Sequence, residues 1–156
     1  MYSAFLARID PTTGAALKAT WLTGREDQDG TGRLAGGSAY AIAADASGQV
    51  YAAGTVYGYM ANRAQLSIEG VPVGAWTGGD GFALVLGSDM SQRRVWTTWT
   101  KTAEASFYAI AVRGGLAAVA GAMPFSGLGG DLITVHPIQA TSAGSIDAFF
   151  SVFPTP

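Results

Sequence analysis

The feature that most constrains this chain is an internal repeat. Residues 38–56, SAYAIAADASGQVYAAGTV, return as residues 106–123, SFYAIAVRGGLAAVAGAM. The offset is 68 between Ile42 and Ile110 and 67 between Gly54 and Gly121, and the lost residue falls in the turn. Spacing that changes only at turns indicates duplication of one structural unit. Each copy is therefore interpreted as two short apolar strands joined by a glycine turn, a β-hairpin.

Two other segments are also repeated. A phenylalanine strand occurs three times, around Phe5, Phe82 and Phe149. Residues 17–21 align with residues 95–99 at an offset of 78, which predicts one shared position for Trp21 and Trp99. No segment has a sustained helical period with caps at both ends. The apolar alternation predicts strands at 4–9, 16–22, 39–45, 49–56, 81–87, 94–100, 107–112, 116–121 and 148–153.

The predicted unit has four antiparallel strands: the hairpin, the Phe strand and the Trp strand. Its first strand, 39–45, is apolar on both sides and is expected to be buried on both faces. Strand 16–22 is expected to keep one face wet, because Lys18 and Thr20 alternate with apolar residues. A four-stranded unit with a buried first strand is typical of a β-propeller blade.

The chain is accordingly predicted to be all-β, a single β-propeller segment over residues 1–156. It would comprise a partial blade at 3–24, a full blade at 38–100 and a partial blade at 106–153, an incomplete propeller of about two blades plus flanking strands. The sheets at both ends would then be uncovered, which a soluble monomer does not tolerate. We expect the missing blades to come from other copies of this chain, or from a longer parent or partner chain.

Three stretches of sequence carry a family resemblance. They are residues 41–54 (AIAADASGQVYAAG), residues 4–14 with the turn Asp10-Pro11-Thr12-Thr13-Gly14, and residues 19–24 (ATWLTG). Together they resemble the SBBP-type β-propeller repeat of bacterial, mostly cell-surface or exported, proteins. The second copy departs from the pattern, since its turn, residues 112–115, lacks the Asp and the Ser. The resemblance implies a propeller fold and an extracellular or cell-surface location, which nothing else in the sequence fixes, and it implies no catalytic residues.

Composition excludes several classes of function. The net charge is −2, and the nine Lys and Arg residues are scattered, so no nucleic-acid partner is expected. The chain has no cysteine, which removes disulfides and thiolate chemistry. No apolar run approaches the roughly 18 residues of a membrane span, and no signal peptide is expected ahead of the first strand. The single histidine, His136, has no flagged catalytic partner, so the protein is predicted not to be an enzyme.

Two groups of residues are candidate binding sites. Asp27 and Asp29 precede a glycine turn, as in calcium loops, but the third ligand position and the distal Glu are lacking, which favours a solvated loop and no cofactor. Four aromatic residues are candidates for stacking on a glycan: Tyr57, Tyr59 and Trp76, in a connection with no repeated partner, and Trp96, on the face of its strand opposite to Trp99. Core or interface packing is the favoured alternative for them. The predicted function is a non-enzymatic scaffold or protein–protein assembly unit, and the alternative is a carbohydrate-binding, lectin-like propeller.

Overall fold

The computed structural model describes residues 3–27, 32–75, 78–101, 104–124, 132–139 and 145–156. Within these residues the chain is all-β, apart from a single 3₁₀ turn at Arg63–Gln65, which confirms the all-β prediction. No helix in this described part has the length and apolar composition required to cross a membrane. The strands are β1 (Ala4–Ile9), β2 (Ala16–Leu22), β3 (Gly24–Arg25), β4 (Leu34–Ala44), β5 (Val50–Gly58), β6 (Ser67–Ile68), β7 (Val71–Pro72), β8 (Gly78–Leu86), β9 (Arg93–Thr97), β10 (Ser106–Arg113), β11 (Leu116–Pro124) and β12 (Ile146–Pro154).

Three antiparallel sheets form the body of the structure. The central sheet has the order β4-β5-β8-β9, with the short β3 paired to the start of β4. The C-terminal sheet has the order β10-β11-β12, and the N-terminal hairpin consists of β1 and β2. Within the central sheet, β4, β5, β8 and β9 follow one another along the chain in the same order in which they pair. The central sheet is therefore a four-stranded meander with the predicted strand order.

The repeat in the sequence is a repeat in the strand registers. Ile42 and Ile110 occupy equivalent positions in β4 and β10, and both strands carry a bulge, between Ala39 and Ala41 and between Phe107 and Ala109. The bulged residues, Tyr40 and Tyr108, place their rings 5.3 Å apart. A bulge raises the local twist and redirects a side chain, so the same irregularity brings one tyrosine of each sheet together.

The registers also correct one sequence alignment. Leu6 pairs with Thr20 and Ala83 pairs with Thr97, and both hairpins shift register at the same point, after Arg8 and after Val85. The offset between the two hairpins is therefore a uniform 77, and the predicted offset of 78 is wrong by one. Leu22, not Trp21, corresponds to Trp99. Burial agrees, because Leu22 and Trp99 are both buried whereas Trp21 is exposed.

The central sheet packs between the other two sheets. One of its faces, with Tyr51, Ala53, Ala83 and Val85, lies in one cluster with side chains of the C-terminal sheet, including Phe107, Ile110 and Val119. Its opposite face, with Ala52, Phe82 and Leu84, packs on Leu6 and Leu22 of the N-terminal hairpin. Apolar side chains on both faces of one sheet are what a middle layer requires.

Glycines make the close contacts in this packing. Gly54 of β5 lies opposite Phe82 of β8, and Gly121 of β11 lies opposite Phe149 of β12. A Cβ built on Gly54 would lie 2.7 Å from Cε1 of Phe82, and a Cβ on Gly121 would lie 3.0 Å from Cε1 of Phe149. Each phenylalanine ring therefore covers a glycine that no other residue can replace without displacing the ring. Gly81 plays the same part between sheets, because its Cβ would enter the ring of Phe107.

Several local predictions differ from the structure. Strands also form outside the predicted ones, because residues 24–37 contribute β3 and the first residues of β4, and residues 67–72 form the short hairpin β6–β7. Strand 39–45 is not buried on both faces, since Ile42 is 62% exposed. Strand 16–22 exposes Lys18 on its predicted wet face, but its apolar side, with Leu17, Ala19 and Trp21, is uncovered as well.

Candidate functional site: two uncovered apolar faces

The outer side of the C-terminal sheet is an uncovered apolar surface. In β12 burial alternates strictly, and Phe150 and Val152 point outward with 68% and 53% of their surface exposed. Apolar side chains continue this surface across β11 and β10. We call the surface the C-terminal face; it consists of Ala109, Ala111, Leu116, Ala118, Ala120, Ile146, Ala148, Phe150 and Val152.

The surface of the central sheet that is equivalent to the C-terminal face is buried. By the offset of 67, Phe150 corresponds to Ala83 and Val152 to Val85, and both of these central-sheet residues are 0% exposed beneath the C-terminal sheet. One surface of the repeating unit is thus buried in its first copy and bare in its second. Contiguous apolar patches of this kind mark interaction sites.

The other end of the structure is bare as well. On the N-terminal hairpin, Leu6 and Leu22 face the central sheet and are buried, whereas the opposite side is exposed and carries only apolar residues. The Phe5 and Trp21 rings meet edge to face on this side at 6.2 Å. We call this surface the N-terminal face; it consists of Phe5, Ala7, Ile9, Leu17, Ala19 and Trp21.

A buried ion pair holds the long connection between β5 and β8 in place. Arg63 and Asp80 are almost completely buried, and Arg63 Nε donates to Asp80 Oδ2 at 2.7 Å. The other guanidinium nitrogens donate to backbone carbonyls of Val73, Gly74, Thr100 and Lys101. Burial raises the pKa of the Asp80 carboxyl, although hydrogen bonding to Arg63 and the Arg63 charge act in the opposite direction.

These contacts assign the ion pair a structural role. The Arg63 nitrogens are directed at protein acceptors on three segments, so the pair joins the connection to β8 and to the residues after β9. Sequence reasoning missed it. A signal was present, because an aspartate stands two residues before the repeated phenylalanine at both Asp80 and Asp147.

The predicted aromatic residues are not gathered into one platform. Trp96 and Tyr57 are far apart in the central sheet. Trp96 pairs with Leu84 of β8, whereas Tyr57 pairs with Gly79, five residues earlier in the same strand. Tyr57 is about half exposed, the backbone of Tyr59 bonds Arg25, and Trp76 lies outside the described residues. Trp96 instead packs on Phe82 with ring centroids 4.9 Å apart, so the favoured packing role describes it well.

Trp96 also lines a cleft of about 340 Å³ between β2 and β9. The guanidinium carbon of Arg93 lies 5.8 Å from the centroid of the Trp96 ring, and the buried indole N–H finds no acceptor among the described residues. The lining also contains Arg25 and hydroxyl groups such as that of Thr20. The volume is within the range of ligand pockets, and the donors suit a polar ligand.

The predicted calcium residues are only partly described. Asp27 is exposed and is the last described residue before position 32, and Asp29 lies outside the described residues. Over the ranges that the structure describes, there is no group of three or more His, Cys, Asp or Glu side chains placed to hold a metal ion. No family model, curated protein or solved structure matches the chain significantly.

Proposed function

We propose that this chain is a non-enzymatic β-propeller repeat module that assembles through its two bare faces. The C-terminal face and the N-terminal face each bind a further sheet of the same kind, carried by other copies of this chain or by a longer parent or partner chain. The observation that carries the proposal is the pair of equivalent surfaces, one buried by the C-terminal sheet and the other exposed. The meander order β4-β5-β8-β9 supports the description of the central sheet as a full blade.

A rigid scaffold follows from the same packing. Each inter-sheet layer is built from rings and small residues in close contact, such as Phe107 over Gly81, and such contacts fix one relative position of two sheets. An assembly of these layers would present its connecting segments at fixed positions. The resemblance to SBBP-type repeats supports placing it on a bacterial cell surface or among exported proteins.

The assembly role is tested with a charge on the C-terminal face. We expect the wild-type chain to associate reversibly in sedimentation velocity between about 1 and 100 μM, the range in which interfaces of moderate affinity dissociate. Phe150→Arg should shift the protein towards monomer with an unchanged circular dichroism spectrum. Gln65→Arg adds the same charge at an exposed position away from both faces and should leave association intact. A wild-type chain that remains a monodisperse monomer throughout would contradict assembly through other copies of this chain.

The second candidate function is carbohydrate binding at the cleft beside Trp96. The observation that favours it is the combination of an aromatic ring, nearby arginine and unpaired indole donor in one cavity. Glycan-array binding that is lost in Trp96→Ala and kept in Tyr57→Ala would support this site. Binding that disappears in the Tyr57 variant alone, or the absence of any binding, would count against it.

A further inference from the structure

One edge of the N-terminal hairpin is unpaired among the described residues, although the equivalent edges in the other two copies are paired. β1, β8 and β12 are the three copies of the Phe strand, and β8 and β12 each pair with a neighbouring strand, β5 and β11, that belongs to a hairpin. Among the described residues, β1 pairs with β2 alone. Since β2 corresponds to β9 by register, the free edge of β1 is the one that corresponds to the β5 side of β8.

Phe5 lacks the partner that its counterparts have. Phe82 lies over Gly54 and is 0% exposed, and Phe149 lies over Gly121. Phe5, at the equivalent position of β1, is 61% exposed. In both completed copies the residue directly opposite the phenylalanine is glycine, and a Cβ there would collide with the ring and with the carbonyl oxygen of Ser38 or Ser106.

A second gap lies on the adjacent face of the central sheet. Ile110 of β10 is 9% exposed, because it lies in one cluster with Tyr51 and Ala53 of β5. Ile42 occupies the equivalent position in β4 and is 62% exposed. The free edge of β1 and the bare Ile42 therefore border one gap, in which the two strands preceding a Phe strand are missing.

We propose that this gap binds a β-hairpin of the same repeat pattern, whose second strand pairs antiparallel with β1 and places a glycine opposite Phe5. The inference rests on the proposed function and identifies the partner at the N-terminal end. The hairpins β4–β5 and β10–β11 already pair with β8 and β12, so an intact second copy of this chain has none to offer. The occupant is a hairpin of a further repeat, and its glycine determines which strands fit.

The test uses the full chain with a second copy of residues 38–77 joined directly ahead of Met1. This junction places the added glycine 28 residues before Phe5, the same separation as between Gly54 and Phe82. We expect amide hydrogen exchange in β1 to slow about tenfold or more. We also expect a nuclear Overhauser contact between the Phe5 ring and the added glycine. Unchanged exchange in β1 would overturn the proposal.

Two variants of the extended chain test the glycine and the ring separately. Valine in place of the added glycine should abolish the protection of β1. Because that variant could also fail to form its own hairpin, Phe5→Ala with the intact extension provides the second test and should reduce the protection severalfold. Protection that is equal to the parent in both variants would overturn the assigned pair.

Failure of this inference can be told apart from failure of the proposed function. The extended chain still exposes the C-terminal face, so its self-association, and the loss of it in Phe150→Arg, can be measured in the same samples. Association without protection of β1 would reject the hairpin site alone. Protection of β1 in a chain that never associates would support the hairpin site while contradicting self-assembly through the C-terminal face.

Discussion

Truncation of the two repeated isoleucines should have very different effects on stability. Ile110→Ala removes a side chain that is 9% exposed between the central and C-terminal sheets, and Ile42→Ala removes the same atoms from an equivalent position that is 62% exposed. The sequence, the strand register and the chemical change are matched. The two substitutions therefore differ in the presence of a covering sheet and in little else.

The magnitudes follow from the buried fraction of each residue. Shortening isoleucine to alanine removes three carbon groups, each worth about 0.8 kcal/mol when fully buried. At the exposures seen here, the transfer contribution is about 2 kcal/mol at Ile110 and about 1 kcal/mol at Ile42. A cavity left at Ile110 raises its total to about 3–4 kcal/mol, because the tightly packed layer relaxes only in part.

The assay is urea denaturation followed by circular dichroism and by tryptophan fluorescence, with coincident curves as the check for two-state unfolding. We expect the loss in the free energy of unfolding to be about three- to fourfold larger for Ile110→Ala than for Ile42→Ala. Equal losses at the two positions would refute the reasoning, since they would mean that Ile42 is covered in solution. In an assembly that covers the N-terminal end, the two losses should converge.

Three further predictions follow from the packing and the charges. Gly81→Ala should destabilise the fold by about 1–3 kcal/mol, because its Cβ enters the Phe107 ring. The control Gly79→Ala makes only ordinary contacts at 3.6 Å and should change the free energy of unfolding by no more than about 0.5 kcal/mol. Thermal unfolding measures both, and equal effects would contradict the contact between Gly81 and Phe107. Arg63→Met should destabilise by about 3–5 kcal/mol by leaving the Asp80 carboxylate buried and unpaired. The double variant Arg63→Met, Asp80→Leu should regain much of this loss in chemical denaturation, and no recovery would argue against the ion pair. The Ser47 hydroxyl holds the pKa of the Asp45 carboxyl well below its usual range. The Asp45 carboxylate therefore stabilises the fold above about pH 4, and this contribution shrinks as the pH falls further. Between about pH 4 and 2, the melting temperature of Asp45→Asn should therefore depend less on pH than that of the wild type.

The strands could be predicted from the sequence because they are short, apolar and duplicated. Both strands of the N-terminal hairpin were predicted with the correct limits, and the meander order of the central sheet followed from the order of the repeated segments. The predicted burial of strand 39–45 failed for one face. The side-chain pattern of a strand reports which faces can be buried, whereas the actual burial of Ile42 depends on strands that are absent from its surroundings here.

The candidate site was only partly accessible to sequence reasoning. Bare end faces were predicted from the number of strands, and the structure locates them at residues such as Phe150 and Trp21. The Arg63–Asp80 pair was missed because its two members are 17 residues apart and belong to different segments, Arg63 to the connection after β5 and Asp80 to β8. The offset of Trp21 was misassigned because two tryptophans aligned by identity, while the register is fixed by backbone pairing and by the bulge after Arg8.

The identical bulges and registers have a consequence for how such a chain can change over time. Because the backbone irregularities sit at the same places in both units, each unit offers its neighbours the same docking geometry. Unequal recombination between the encoding DNA segments would insert or delete a whole unit without disturbing the seams on either side. If the chain assembles as proposed, the number of units could therefore change by one at a time during evolution, while selection acts separately on the segments that connect the strands.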